Sequence, residues 1–84
     1  VTAEEIRNTI FEALRKIAPE ADPSEIDPAA ELREQVDLDS MDFLNLVISV
    51  DKEIGIEVPE SDYPHLRTLD GWVDYLLERT AGKA

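Results

Sequence analysis

Four apolar residues in the first turns of the chain, Ile6, Ile10, Leu14 and Ile17, recur at spacings of four, four and three. That rhythm constrains the fold more than any other feature. Residues so spaced line one face of an α-helix, and the face is stable only when another apolar surface covers it. Thr2 precedes the run as an N-cap with Glu5 three residues on, as in a capping box, and Pro19 just past Ile17 marks the end. A second run from Asp39-Ser40 to Ile54 stops at Gly55, and a last one from Leu69 to Glu78 turns Leu69, Trp72, Val73, Leu76 and Leu77 inward. Residues 81 to 84 are expected to fray. No stretch alternates at period two, so the fold expected is all-α, a small antiparallel bundle.

The connection from residue 19 to 38 holds three of the five prolines. Twenty structureless residues are unusual in a compact domain. Asp27 as cap with Pro28 at the first helical position predicts a short helical turn there, and Leu32, Val36 and Leu38 would pin the connection to the core. Pro59 and Pro64 confine residues 57 to 64 to a loop with at most a short third helix around Asp62 to Arg67.

With 84 residues there is room for one domain, spanning 1–84. The chain contains no cysteine and a single histidine, His65. Disulfide scaffolds, thiolate metal sites and cysteine catalysis are therefore closed, and triads or histidine metal clusters have little to draw on. We expect no catalytic residue and no metal ligand. Twenty acidic residues against eight basic ones give a net charge of -12, which repels nucleic acid and anionic membranes and favours basic partner surfaces. The 43% hydrophobic content falls in periodic stripes, as in a packed domain rather than a disordered acidic chain. No apolar run approaches the roughly 18 residues a membrane span needs, and no signal-peptide pattern opens the chain. A soluble, cytoplasmic, monomeric protein is expected.

The second helix carries two apolar stripes. At about 100° per residue, Phe43, Leu46, Val47, Val50 and Ile54 form one, assigned to the core. Met41, Leu44 and Ile48 form another, well over 90° away, with Ser40 between the two at the helix start. Two readings of the second stripe stand open: it meets another helix or loop, or it is an exposed docking strip. Asp42, Asp51 and Glu53 surround it with negative charge, which suits a partner offering Lys or Arg around an apolar groove. Ser40 is equally double-sided. Asp-Ser before an apolar run is a common helix start; it also places a hydroxyl beside unpaired backbone N–H groups and the positive end of the helix dipole, where a covalently attached phosphate is tolerated.

The stretch Leu38-Asp39-Ser40-Met41-Asp42, followed by Phe43-Leu44-Asn45-Leu46-Val47, resembles the attachment motif of acyl carrier proteins. Glu53-Ile54-Gly55-Ile56-Glu57-Val58-Pro59 resembles that family's helix end and following loop at the family's spacing, and Asp62, Leu66, Leu69, Val73 and Leu76 fit its third and fourth helices. The resemblance covers nearly the whole chain, most weakly residues 1 to 30. It implies a four-helix bundle with a long first loop and a short third helix. It also implies that a phosphopantetheinyl transferase moves 4'-phosphopantetheine from coenzyme A onto Ser40, with Asp39 the acidic neighbour of the site. The arm's thiol would hold an acyl thioester for acyl-transfer, ligase or synthase enzymes with basic docking surfaces, in fatty-acid, lipid or polyketide-type biosynthesis. Met41, Asp42, Leu44, Ile48 and Asp51 would form the partner face, and the protein would be a carrier, not an enzyme.

Asn45 stands where many relatives have Glu, Lys52 brings positive charge to a usually acidic face, Asp37 replaces a common glycine, and Trp72 is bulky for its place. These departures point to a specialised carrier with its own partners. An aminoacyl carrier of D-alanyl type shares the motif and fold, and an unmodified acidic helical protein that binds a basic partner is the alternative of a different class. A calcium loop starting at Asp37 fails because Asp42 and Ile48 occupy the positions that need Gly and Glu. A hydrolase reading of Ser40 lacks both the G-x-S-x-G turn and a base, His65 being expected as a partly exposed residue of the short helix.

Overall fold

The computed structural model describes residues 2–81. Its helices are α1 (Ala3–Ile17), α2 (Leu32–Gln35), α3 (Ser40–Ile54) and α4 (Leu69–Ala81), with 3-10 segments at Pro23–Glu25 and Glu60–Leu66. The described residues form no strand, only an isolated bridge between Glu31 and Thr68. The expected all-α bundle is what forms, and α3 is the second helix anticipated from the sequence. Of the expected fraying at 81–84, residues 82–84 lie outside the described residues; Ala81 still belongs to α4.

Local chemistry sets the helix ends. Thr2 Oγ1 accepts from the Glu5 N–H at 3.2 Å and donates to the Glu5 carboxylate at 3.4 Å, in place of the reciprocal backbone contact of a full capping box. Asp39 Oδ1 accepts from the Asp42 N–H at 2.8 Å and so fixes Ser40 as the first residue of α3. Gly55 ends α3 at φ 84°, a left-handed conformation that costs glycine little, while the Asp51 carbonyl accepts from the N–H groups of Gly55 and Ile56.

Two local expectations need correction. Asp27-Pro28 does not start a helix: the Asp27 carboxylate accepts from Ala29 N–H at 2.9 Å and its carbonyl from Ala30 N–H at 3.2 Å, which closes a turn, and the helical turn forms later, at α2. The short third helix begins two residues early and is 3-10 throughout, because Pro64 lies inside it and donates no N–H. The first connection is ordered by a further turn capped by Asp22 and by ties to the far end of the chain. The Leu32 N–H donates to the Arg67 carbonyl at 2.8 Å, the Asp70 N–H to the Pro28 carbonyl at 3.0 Å, and Arg67 Nε to Glu31 Oε1 at 2.6 Å.

α1 packs against α3 and α4, and the Glu60–Leu66 segment against α4. Ile6, Ile10 and Leu14 meet Leu46, Val47 and Val50 of α3 and Leu69, Trp72, Val73 and Leu76 of α4 in one core, with Leu32, Val36 and Leu38 pinned to it as expected. Ile17, Phe43, Ile54 and Leu77 are only half-buried, at the margin. Trp72 is completely buried and its indole N–H has no protein acceptor. Asp62 fastens the 3-10 segment to α4 by accepting from the Tyr75 hydroxyl at 2.6 Å and from Arg79 Nη2 at 2.9 Å. The Tyr75 hydrogen bond, opposed by burial and aided by the Arg79 contact, holds the Asp62 carboxyl below its ordinary range.

The 3-10 segment also lies close against the start of α4. A Cβ on Gly71 would stand 2.8 Å from the His65 carbonyl oxygen, a backbone atom that cannot turn aside. Gly71→Ala would gain about 1 kcal/mol in helix propensity, but the clash costs roughly 1–3 kcal/mol. Thermal unfolding of this variant is expected at a lower midpoint than wild type; a higher midpoint would show that the segment yields freely.

Candidate functional site

Ser40 stands exposed at the head of a 15-residue helix. Of the first N–H groups of α3, that of Asp42 is taken by the Asp39 carboxylate and that of Phe43 by the Asp39 carbonyl. Those of Ser40 and Met41 have no acceptor among the described residues, as expected at a helix start. An anion linked to the Ser40 hydroxyl would meet these donors and the positive end of the helix dipole. Asp39 is the residue that builds this corner, since its extended backbone turns the chain into the helix and its carboxylate caps it.

Beside Ser40 lies an open groove of about 530 Å³. α3 contributes Met41, Phe43 and Leu44; the 3-10 segment contributes Glu60, Tyr63 and Pro64; Glu31, Arg33 and Arg67 complete it. Phe43 links groove to core, edge-on to Tyr63 at 6.1 Å between centroids and tilted against Trp72 at 6.0 Å. Burial, then the negative charges of Asp51, Glu60 and Glu57, push the Tyr63 phenol up, so it stays a neutral hydrogen-bonding group.

The two stripes of α3 separate as a wheel requires. Leu46, Val47 and Val50 are buried, whereas Met41, Leu44 and Ile48 are 64%, 37% and 53% exposed, the exposed large hydrophobics of the described residues. Among the described residues no element buries the second stripe, although Met41 and Leu44 also border the groove. Asn45, Lys52 and Glu53 are exposed along the same helix and Asp42 is half-buried.

Asp51 is turned partly inward. Its Oδ2 accepts from the Val58 N–H at 3.0 Å, fastening the loop after α3, while Oδ1 is buried without a partner. Burial raises its carboxyl above the ordinary 3.8, aided by the Glu57 charge and opposed by the Val58 hydrogen bond. His65 stacks on Tyr75, 5.6 Å between ring centroids, and is not part of the groove. Among the described residues no group of three or more His, Asp or Glu could hold a metal ion, and no helix is long and apolar enough to cross a membrane.

The attachment corner and the strip lie on one continuous helix, where spacing displays them. Arg33, Tyr63 and Arg67 escaped the sequence reading. They reach the groove from separate turns, and no periodic signal relates residue 33 to residues 63 and 67.

A family model described as the phosphopantetheine attachment site matches residues 5–76. The chain is 33% identical over 75 residues to the acyl carrier protein of Caulobacter vibrioides, covering 86% of this chain and 96% of that protein. It is 29% identical over 75 residues to the acyl carrier protein of Rubrobacter xylanophilus, covering 86% and 93%. With the meromycolate extension acyl carrier protein of Mycobacterium leprae it shares 30% over 76 residues, covering 90% of this chain and 65% of that protein.

Two measurements check this geometry. Leu46→Ala is expected to cost roughly 2–5 kcal/mol of stability, while Met41→Glu or Leu44→Asp changes it by less than about 1 kcal/mol; comparable losses would mean that the strip is core. For Asp51 the raised folded value means that the native state holds the proton more tightly than the unfolded chain. Wild-type stability relative to Asp51→Asn should therefore decline as pH rises from below 3.8 through the raised value and then level off. A difference that grows with pH would contradict the assignment.

Proposed function

The chain belongs to the acyl carrier protein family, and we propose that Ser40 is where it carries the 4'-phosphopantetheine arm of that family. The observation behind this reading is the exposed Ser40 hydroxyl at the head of α3, beside unpaired N–H groups and at one end of an exposed apolar strip. The corner fits a phosphodiester and nothing bulky stands over it. During attachment, Ser40 Oγ gains the phosphoryl group of coenzyme A and loses its proton, while the pyrophosphate bond breaks and adenosine 3',5'-bisphosphate leaves. The arm, once bound, supplies a thiol for thioester chemistry, consistent with a chain that contains no cysteine.

Residues 1–84 act on this reading as one carrier domain, a cytoplasmic monomer without catalytic activity of its own. A carrier of this family meets a phosphopantetheinyl transferase and synthase-type enzymes. Met41, Leu44 and Ile48 form the apolar part of the docking face, with Asp42 beside Ser40; Asp51, expected on this face from the sequence, instead turns its carboxylate inward to the Val58 N–H, and a net charge of -12 favours partners with Lys or Arg around an apolar groove. An acyl group is the cargo, since the relatives named above are acyl carriers, in a pathway of fatty-acid, lipid or polyketide type. Exposed, uncharged Asn45 and cationic Lys52 on α3 narrow the partner set and support a specialised role.

Incubation with coenzyme A and a broad-specificity phosphopantetheinyl transferase should add one phosphopantetheinyl group to wild type by intact mass and none to Ser40→Ala. No adduct, or an equal adduct on the variant, would sink the assignment. Raising ionic strength from about 0.01 to 0.15 M shortens the screening length from roughly 30 to 8 Å, so association with the transferase should slow markedly. A salt-independent rate would remove the electrostatic part of the docking model.

A further inference from the structure

We propose that Arg33 is the positioning residue for the phosphodiester on Ser40, drawing the root of the arm into the groove toward Tyr63. The inference rests on Ser40 as the attachment site.

Cations are scarce in this protein, eight against twenty carboxylates, yet two of them, Arg33 and Arg67, line the groove that contains Ser40. Arg67 is occupied, since its Nε donates to Glu31 at 2.6 Å and its Nη2 pairs with the same carboxylate. Arg33 is held but not neutralised. Its Nε donates to the Leu38 carbonyl at 3.2 Å, two residues before Ser40, and its guanidinium lies 5.6 Å from the centroid of the Phe43 ring. These contacts fix the plane of the group, while no described carboxylate pairs with it and both Nη groups remain free to donate.

A guanidinium fork matches two phosphate oxygens, and one already oriented loses little freedom on binding. The surroundings otherwise repel an anion: Asp39 and Asp42 flank Ser40 in sequence, and Glu31 and Glu60 line the groove. The unpaired N–H groups of Ser40 and Met41 supply the remaining donors. The phosphate, not the cargo, is the group Arg33 addresses. Phosphorus is bonded directly to Ser40 Oγ, so its position is set by this chain, whereas the thioester sits at the far end of a flexible arm.

The test compares loaded wild type, Arg33→Ala, Arg33→Lys and Arg67→Ala, each first shown by intact mass to carry one arm on Ser40. The ³¹P resonance of wild type should be displaced from its position in urea-unfolded loaded protein. That displacement should be lost in Arg33→Ala, reduced in Arg33→Lys, whose ammonium lacks the fork, and kept in Arg67→Ala. The Arg33 Nε–H cross-peak of wild type should move on loading, a readout that needs no variant to fold. Identical ³¹P positions in wild type and Arg33→Ala, an unmoved Arg33 cross-peak, or an equal loss in Arg67→Ala would overturn the role of Arg33 and leave the Ser40 assignment standing. Failure of wild type to load on Ser40 would overturn both.

Discussion

Everything at the site depends on how α3 divides its surface. Leu46, Val47 and Val50 lock one face against the apolar stripe of α1 and the inward residues of α4. A helix has one rotation about its own axis. Once that face is committed to the core, Met41, Leu44 and Ile48 are carried outward, and Ser40 comes to the border between buried and exposed surface. Exposure of the strip is thus a consequence of core packing, and its energetic cost is offset by the buried residues of α1, α3 and α4.

The rest of the molecule holds α3 in that rotation and register. Asp39 and Gly55 fix its two ends, and Asp51 ties its last turn to the loop through Val58. The 3-10 segment, close against α4 at Gly71 and clasped by Asp62 to Tyr75 and Arg79, stands beside the head of α3 and makes the other side of the groove. The first connection, tied by Leu32 and Glu31 to Arg67, brings Arg33 to the same place. Three separate segments therefore meet around a single hydroxyl.

What the sequence displayed follows from this arrangement. α1, α3 and α4 were legible because each carries its own period and end signals, and the exposed strip was legible because one wheel contains both faces of α3. Proline-rich segments were less so. The Asp27-Pro28 start resolved into a turn because the Asp27 side chain serves Ala29 within that turn, and the third helix became 3-10 around Pro64. The groove left no signal, since Arg33, Tyr63 and Arg67 converge only through tertiary packing. Asp51 reads in sequence as another surface charge; its inward turn depends on the path of the loop to Val58.

The central claim is that α3 presents Ser40 and its apolar strip to partners while its opposite face holds the fold. Amide and side-chain methyl NMR spectra of the unloaded protein, titrated with a catalytically inactive phosphopantetheinyl transferase, test it most directly. The account predicts the strongest perturbations at Ser40, Met41, Leu44 and Ile48, with weak effects at Ile6, Ile10 and Leu14 of α1. Perturbations centred on the exposed face of α1, with the α3 strip unmoved, would contradict it.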